Sequence, residues 1–215
     1  MRNDKLWNFI DTSDNRDYAL VSSGTQFINT GIVFNTSVDS SVSMEVDNQF
    51  INLNLRVLWG STDSAGTQRF YIGMNSTRTM WVGGIASNTA AFSTSNLPLT
   101  TDRQKIRMDY VLTPSRGANL YFDDILVSSF ANTTLNVIEE LCLFNIGTGN
   151  NYIGNQKCFG AKIWKSGILV RDFVPVPVGS TRFSGFPAPS NCLWDRVTQV
   201  YFENVGSGKF GIEAV

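Results

Sequence analysis

Residues 162–175 read KIWKSGILVRDFVP, a stretch in which Ser166-Gly167 separates two apolar runs. Glycine adopts backbone conformations that other residues avoid, so this dipeptide predicts a sharp turn between two strands. Neighbouring side chains on a strand point to opposite faces, and we therefore expect Arg171 and Asp172 on opposite sides of a sheet. One of the two is expected to form a semi-buried ion pair with a distant residue. The following VPVP, residues 174–177, predicts an extended segment that runs over the surface.

Short strands recur along the rest of the chain. Residues 41–46 (SVSMEV) and 106–111 (IRMDYV) alternate between apolar and polar side chains, as half-buried strands do. Asp123-Asp124 separates two further apolar runs, which predicts a two-residue hairpin. No long stretch keeps the 3.6-residue apolar period of an amphipathic helix. Many short strands with turn residues between them indicate an all-β sandwich or jelly roll.

Length and composition suit a single folded domain. The chain has 215 residues, of which 42% are hydrophobic and 16% charged. Disordered chains have the reverse balance, so there is enough apolar surface here to offset the entropy lost on folding. All-β sandwiches commonly reach this length without splitting in two. We divide the chain into an N-terminal arm, residues 1–17, and one domain, residues 18–215.

The N-terminal arm is polar and charged around the apolar residues 6–10, which read LWNFI. One interpretation is a terminal tail with little packing of its own. The other is an arm that anchors the protein to an assembly through Trp7 and Phe9, because aromatic anchors dominate protein interfaces. The sequence leaves both interpretations open.

A family resemblance rests on four segments of the chain. They are SGTQFINTG at 23–31, ANLYFDDILV at 118–127, the hairpin at 162–175, and LWDRVTQVYFEN at 193–204 with GSGKF at 206–210. In this order they resemble the concanavalin A-like, laminin G-like domains of phage structural proteins and bacterial surface proteins, although Asp124 stands where that family usually has glycine. The resemblance implies an all-β fold, a jelly-roll sandwich of two antiparallel sheets. It implies little about activity, because this fold carries lectins, glycosidases, adhesins and structural parts.

Charge and hydropathy narrow the classes of partner. The net charge is −1 and Lys and Arg form no cluster, which disfavours nucleic acid and charged membrane surfaces as partners. No apolar run approaches the roughly 20 residues that span a bilayer. The first residues lack the apolar core and cleavage site of a secretory signal. We therefore expect the chain to fold in the cytoplasm in which it is made, or to reach the outside without the general secretory route. The three cysteines, Cys142, Cys158 and Cys192, are expected to be reduced thiols.

Candidate catalytic groups are few. The chain has no histidine, which removes the commonest general base and any Ser-His or Cys-His nucleophile. A retaining glycosidase needs two carboxylates roughly 5 Å apart, as a Glu-x-Asp-x-x-Glu strand supplies. The nearest match is residues 45–50, where Phe50 stands in place of the second glutamate. Glu139 and Glu140 are adjacent, so their side chains diverge on a strand. We therefore expect no catalytic residues and no enzymatic activity.

No metal and no cofactor are expected, and calcium is the alternative. A calcium site needs several converging oxygen ligands. Two sets of side chains could supply them, one near the predicted hairpin and one in a glycine-rich loop: Asn119, Asp123 and Asp124, or Asn145, Asn150 and Asn151. Asx-rich turns usually satisfy their own backbone instead, which favours the absence of a metal.

A glycan site would combine an aromatic platform with amide or carboxylate partners. The candidate glycan-binding residues are Trp59, Tyr71, Asn75, Trp81 and Asn145. The three aromatic residues of this set lie in strand-like runs, so packing in the core or between the sheets is the favoured alternative for each.

The leading functional hypothesis is a non-enzymatic virion structural protein, such as a phage capsid decoration, fibre or tail-associated module. Its expected partners are other virion proteins, further copies of itself in a homo-oligomer, and cell-surface glycans. It would lie on the virion surface after cytoplasmic synthesis in a bacterial host. The alternative is a carbohydrate-binding module of a bacterial surface adhesin. A glycan-cleaving enzyme is the weakest hypothesis, because it would need a carboxylate pair from distant segments.

Overall fold

A computed structural model describes residues 17–34, 39–52, 57–63, 69–74, 81–85, 90–94, 100–111, 117–131, 139–147 and 155–215. These residues form sixteen strands and no helix. The strands are β1 (Tyr18–Ser23), β2 (Ile28–Val33), β3 (Ser41–Phe50), β4 (Val57–Thr62), β5 (Arg69–Met74), β6 (Trp81–Ile85), β7 (Ala90–Thr94), β8 (Gln104–Val111), β9 (Gly117–Phe122), β10 (Ile125–Ala131), β11 (Glu140–Leu143), β12 (Asn155–Lys165), β13 (Ile168–Val176), β14 (Cys192–Asp195), β15 (Val200–Phe202) and β16 (Gly211–Ala214). Within these ranges there is accordingly no helix suited to crossing a membrane.

The strands form two antiparallel sheets. The ten-stranded sheet has the order β10-β9-β8-β3-β12-β13-β14-β15, and β1 joins it by pairing with both β12 and β16. The six-stranded sheet has the order β2-β11-β4-β5-β6-β7. Strands distant in sequence lie side by side, as β3 and β12 do. The predicted all-β, two-sheet jelly-roll sandwich is therefore confirmed.

The main core lies between the two sheets. An aromatic cluster joins them, with Trp59 and Phe70 from the six-stranded sheet 5.0 Å apart between ring centroids. Phe70 lies 5.7 Å from Tyr110 of the ten-stranded sheet, and Phe34 contacts both rings. All four side chains are almost completely shielded from solvent. Burial of large aromatic surfaces of this kind supplies much of the driving force for sandwich formation.

Both predicted hairpins are present. Asp123 and Asp124 have φ values of 47° and 66°, and Ser166 and Gly167 have φ values of 48° and 78°. Two consecutive residues with positive φ are the signature of the type I′ turn, whose twist matches that of the flanking strands. These turns join β9 to β10 and β12 to β13.

The predicted semi-buried ion pair is also present, between Arg171 and Asp195. The Arg171 Nε lies 3.7 Å from Asp195 Oδ2, with side chains 14% and 0% exposed. The same nitrogen donates to the backbone oxygen of Thr30 at 3.0 Å, so Arg171 of the ten-stranded sheet also holds β2 of the other sheet. Asp172 points to the opposite face and pairs with Arg196 at 3.7 Å.

The expectation that residues 174–177 run over the surface was wrong. β13 continues to Val176, and Pro175 and Val176 are buried. Proline has no backbone N–H to donate to a neighbouring strand. It is tolerated at position 175 because β12 pairs with β13 only as far as Phe173, so no donor is needed on that side. Residues 177–191 then fold over the outer side of β13 and β14, and close a second small core of Val176, Ala188, Cys192 and Trp194.

The first strand begins at Tyr18, and residues 1–16 lie outside the described residues. The N-terminal arm and its contacts through Trp7 and Phe9 therefore stay predictions.

Candidate functional site

The face of the ten-stranded sheet that points away from the main core carries polar, charged and aromatic side chains. In β3 every second residue is buried, which leaves Ser43, Glu45 and Asp47 on this outer face. Strands β8 and β12 alternate in the same way, and paired residues of adjacent strands point to the same face. The strand register therefore places the outer side chains in rows across the sheet.

One row alternates in charge over four strands and ends on a tyrosine of a fifth. It runs from Asp172 on β13 through Lys162 on β12 and Glu45 on β3 to Arg107 on β8 and Tyr121 on β9. The Arg107 guanidinium lies over the Tyr121 ring, 4.2 Å from its centroid. Opposite charges on neighbouring strands stabilise the sheet, so the row supports the fold and gives the outer face a mixed charge.

The neighbouring row is uncharged at its ends and begins with a tryptophan. Trp164 on β12 lies opposite Ser43, which lies opposite Asp109, and Asn119 and Ser129 follow on β9 and β10. The Ser129 Oγ donates to Asn119 Oδ1 at 2.8 Å. Trp164 is half-buried, and its ring has neither a hydrogen bond nor an aromatic contact with any other described residue. Part of its surface and its indole N–H are therefore left for a ligand.

Two adjoining hollows lie beside these rows, and together we call them the outer groove. They have volumes of about 190 and 290 Å³ and share Phe159, Val174 and Arg196 as lining residues. The larger hollow extends along β3 and β12, where Glu45 and Lys162 line it. The larger volume is near the lower end of ligand pockets, roughly 300 Å³, and the smaller is below it. These sizes suit a small polar group such as one sugar ring.

An ion pair and a stacked ring lie where the two hollows of the outer groove meet. Arg103 donates through two nitrogens to the Asp47 carboxylate at 2.8 and 2.6 Å, and this hydrogen bonding raises the pKa of Arg103. The same guanidinium lies over the Phe159 ring, 4.0 Å from its centroid. Phe159 is the extra residue of a β-bulge, since β12 shifts register between Cys158 and Gly160. The bulge thus brings an additional side chain to the junction of the two hollows.

Glu45 and Lys162 are the unpaired charges of the larger hollow. They lie directly opposite each other on β3 and β12, yet neither has a hydrogen bond or ion pair with another described residue. Burial raises the pKa of the Glu45 carboxyl, and the nearby charges of Lys105 and Lys162 oppose that rise. The Glu45 carboxylate and the Lys162 ammonium are therefore both available to form hydrogen bonds with a ligand that enters the hollow.

Two of the sequence-predicted glycan contacts lie in the interior, which corrects that expectation. Trp59 is 0% exposed and packs against Phe70 in the aromatic cluster, so its ring cannot stack on a ligand. Asn145 is equally buried, and its Nδ2 donates to the backbone oxygen of Gly147 at 3.2 Å. The favoured alternative for Trp59, packing in the core, is the observed one.

Of the other three predicted glycan contacts, Tyr71 alone has a described side chain, and it does not line the outer groove. Tyr71 is half-buried on β5 of the six-stranded sheet, where its Cβ crowds Gly60 of β4. Trp81 opens β6 of that sheet, and its side chain lies outside the described part of the structure. Asn75 lies outside the described residues altogether. The structure thus brings none of the three glycan candidates with described side chains, Trp59, Tyr71 and Asn145, to the outer groove.

The carboxylates proposed for calcium are engaged by protein groups. Asp123 Oδ1 accepts from the backbone nitrogen of Lys105 at 2.9 Å, and Asp124 pairs with the Lys105 Nζ at 2.6 Å. Asn119 accepts from Ser129, while Asn150 and Asn151 lie outside the described residues. No group of three acidic, histidine or cysteine side chains gathers as a metal site in the ranges that the structure describes.

Phe159 and Lys162 of the outer groove, and Trp164 on the same face of β12, were not singled out as site residues from the sequence. Residues 161–164 read AKIW, and alternation alone indicates that lysine and tryptophan share one face while alanine and isoleucine share the other. What alternation does not indicate is which face is buried and which strand lies alongside.

Comparison with known proteins found similar folds and no similar sequences. No family model and no curated protein matches the chain. Similar solved structures include domains LG4-5 of the mouse laminin alpha1 chain, with a TM-score of 0.49, 9% identity, and coverage of 71% of this chain and 42% of that one. The full extracellular region of zebrafish Gpr126/Adgrg6 has a TM-score of 0.44, 12% identity, and coverage of 92% and 26%. The HCR/D F1240A mutant has a TM-score of 0.36, 14% identity, and coverage of 93% and 63%.

The chain spans less than two thirds of the length of each of these proteins. At these identities and TM-scores the likeness concerns the sandwich architecture and extends to neither ligand nor partner. The strand order itself establishes what the chain is: an all-β, jelly-roll sandwich of two antiparallel sheets.

Proposed function

We propose that the chain is a non-enzymatic binding module that holds a glycan on the outer face of its ten-stranded sheet. The observation that carries this proposal is Trp164, a half-buried tryptophan on that face whose ring has no hydrogen bond or aromatic contact among the described residues. Sugar sites combine an aromatic surface for the apolar face of a ring with a few polar groups that set its orientation. Ser43 and Lys162 supply such groups next to Trp164.

The spacing along β12 suits an extended ligand. Phe159, Lys162 and Trp164 all lie on the outer side of this strand, and the two aromatic residues are five positions apart in the sequence. The bulge adds one residue here, so the interval matches the four positions from Asp47 to Ser43 on β3. At roughly 3.3 Å per position the two aromatic residues are about 13 Å apart along the strand. A chain of a few sugar rings would lie along this strip, with Phe159 and its stacked Arg103 at one end and Trp164 at the other.

The proposal of a binding module without catalysis is supported by the carboxylates of the groove. Asp47 is held by Arg103 and Asp172 by Arg196, so each already neutralises a cation. Retaining hydrolysis needs one carboxylate as nucleophile and a second as acid and base. Glu45 is the one carboxylate of the larger hollow left without a hydrogen bond or ion pair in the described part of the chain. We expect a bound oligosaccharide to stay intact during prolonged incubation, and release of new reducing ends would contradict this.

The test of the glycan site is binding of the intact protein to a glycan microarray, followed by titration calorimetry with the best ligand. Trp164→Ala should reduce the affinity by about tenfold or more, because stacked aromatic contacts carry much of the energy at such sites. Phe186→Ala is the matched control, since Phe186 is 71% exposed on the 177–191 segment and does not line the outer groove. Equal loss in both variants, or none in Trp164→Ala, would overturn the proposed site.

We propose the surface of a phage particle as the place where this module works. The support is the resemblance of four sequence segments to domains of phage structural proteins, together with the aromatic residues Trp7 and Phe9 of the N-terminal arm. Other virion proteins would hold the arm, and a homo-oligomer would raise the avidity of a weak glycan site. A bacterial surface adhesin with the same groove is the alternative location.

Immunogold labelling of particles and cells from the source culture separates the two locations. Regular labelling of particle heads or tails supports the virion, and the variant Trp7→Ala/Phe9→Ala should then lose it. Labelled cells beside bare particles would overturn the virion proposal and favour the adhesin. Sedimentation equilibrium of the purified protein tests the homo-oligomer.

A further inference from the structure

The larger hollow of the outer groove holds two charged side chains that face each other without forming an ion pair. Lys162 and Glu45 are directly opposite on adjacent antiparallel strands, and both line the hollow. The other carboxylates of the hollow are paired, Asp47 with Arg103 and Asp172 with Arg196. Neither Glu45 nor Lys162 has a hydrogen bond or ion pair among the described residues.

This arrangement leaves one acceptor and one donor available side by side. A carboxylate only accepts hydrogen bonds and an ammonium only donates them. The Cβ atoms of directly opposite residues lie about 5 Å apart. Two polar heads with this spacing can each reach one of two neighbouring hydroxyls. A hydroxyl both donates and accepts, so one hydroxyl of a pair can donate to Glu45 while the next accepts from Lys162.

The charge of the hollow favours an uncharged ligand. Its charged lining residues are three carboxylates and three cations, so their formal charges cancel: Glu45, Asp47, Asp172, Lys105, Lys162 and Arg196. An acidic sugar would meet Glu45 as well as Lys162, and a basic one would meet Lys162 as well as Glu45. A neutral diol gains a charge-assisted hydrogen bond from each head without repulsion from either.

We infer that Glu45 and Lys162 form a paired acceptor and donor that recognises two neighbouring hydroxyls of one neutral sugar ring. This inference rests on the proposed glycan-binding function and names the class of sugar that the site takes. Phe159 lies on the Arg103 side of this pair and Trp164 on the other, so the recognised ring lies within the strip along β12.

The experiment measures the affinity of the best neutral glycan from the array for the whole protein and three variants. Glu45→Gln and Lys162→Met should each weaken binding about tenfold or more, as expected for loss of a hydrogen bond to a charged group. Lys157→Met is the matched control. Lys157 is another outward lysine of β12, but it pairs with Glu213 at 2.6 Å and does not line the hollow.

Monodeoxy analogues of the ligand give the specific signature. Removing the hydroxyl that accepts from Lys162 should weaken binding to the wild-type protein and leave binding to Lys162→Met unchanged. Unfolding temperatures of all variants show whether a loss of affinity reflects a loss of folding.

The outcomes separate this inference from the proposed function. If Trp164→Ala loses binding while Glu45→Gln and Lys162→Met bind like the wild type, the glycan site stands and the acceptor–donor pair is overturned. Preference for an acidic glycan, with tighter binding by Glu45→Gln, would overturn the neutral class. If no glycan on the array binds, the proposed function and the inference both fail.

Discussion

The carboxylate of Asp195 has no solvent exposure. Its partners come from β13 and from the turn between β14 and β15. It accepts hydrogen bonds from the backbone nitrogens of Asp172 and Val197 at 2.8 and 3.1 Å, and from the Thr198 Oγ1 at 2.6 Å. It also neutralises Arg171, which binds the opposite sheet through Thr30. One side chain therefore closes the β14–β15 turn and fixes the cation that joins the two sheets.

Asp195→Asn tests this role. The amide leaves Arg171 as an uncompensated, mostly buried charge, so we expect a loss of about 3–5 kcal/mol in the free energy of unfolding, measured by urea denaturation. Asp47→Asn removes a carboxylate from the exposed pair with Arg103 and should cost no more than about 1 kcal/mol. Similar losses in the two variants would show that the buried pair has no special role.

Glu45 predicts a pH dependence of stability. Burial raises the pKa of its carboxyl in the folded protein, so ionisation is easier in the unfolded chain, where the pKa is about 4.3. The contribution of the Glu45 carboxyl to the free energy of unfolding is complete below the pKa of the unfolded chain. It is lost as the pH rises through the higher pKa of the folded protein. Glu45→Gln does not titrate, so its free energy of unfolding relative to the wild type should increase between pH 4 and pH 7.

Asp124→Asn is the control of opposite sign for this prediction. A hydrogen bond from Lys105 lowers the pKa of Asp124, so the wild-type carboxylate loses its stabilising contribution as the pH falls. Urea denaturation at both pH values measures the two differences. The prediction for Glu45 would be contradicted if the free energy of unfolding of Glu45→Gln, relative to the wild type, stayed constant or fell toward neutral pH.

The turn between β12 and β13 is the element on which the first sequence prediction depended. Gly167 has a φ of 78°, and a Cβ there would meet nothing within 4 Å. Gly167→Ala therefore isolates the backbone cost, and we expect a loss of about 1 kcal/mol in the free energy of unfolding. Asparagine tolerates this conformation better, so Gly167→Asn should lose less. The role of the turn would be contradicted if denaturation curves gave both variants the same free energy of unfolding as the wild type.

The elements that the sequence predicted are those that local chemistry determines. Turn residues such as Asp123-Asp124 and Ser166-Gly167 act within a few positions, so their hairpins could be located. The end of β13 could not, because Pro175 is tolerated only through the absence of a β12 partner beyond Phe173. That absence depends on how far another strand extends.

The candidate site was harder to predict than the fold. Glu45 and Lys162 are separated by more than a hundred residues, and only the register between β3 and β12 makes them neighbours. Trp59 and Trp164 both lie in apolar runs, yet the first is in the core and the second on the outer face. Periodicity distinguishes the two faces of a strand but does not identify the one that a second sheet covers.

The cooperativity of unfolding can be measured through the thiols, because the three cysteines lie in different parts of the fold. Cys142 is in the six-stranded sheet, Cys158 is near the middle of the ten-stranded sheet, and Cys192 is in the second core. All three are free and buried, as expected for reduced thiols. Burial raises the pKa of each to about 12, and only the thiolate reacts with disulfide reagents.

We therefore expect the native protein at pH 8 to react with no equivalents of a disulfide reagent and the unfolded protein to react with three. Pulsed thiol labelling with mass spectrometry over a urea series should give one midpoint for all three positions. The reason is that β14 is continuous with the main sheet through β13, so the second core should unfold with the rest. Labelling of Cys192 at lower urea, ahead of Cys142 and Cys158, would instead show that residues 177–191 open independently and expose the neighbouring end of the outer groove.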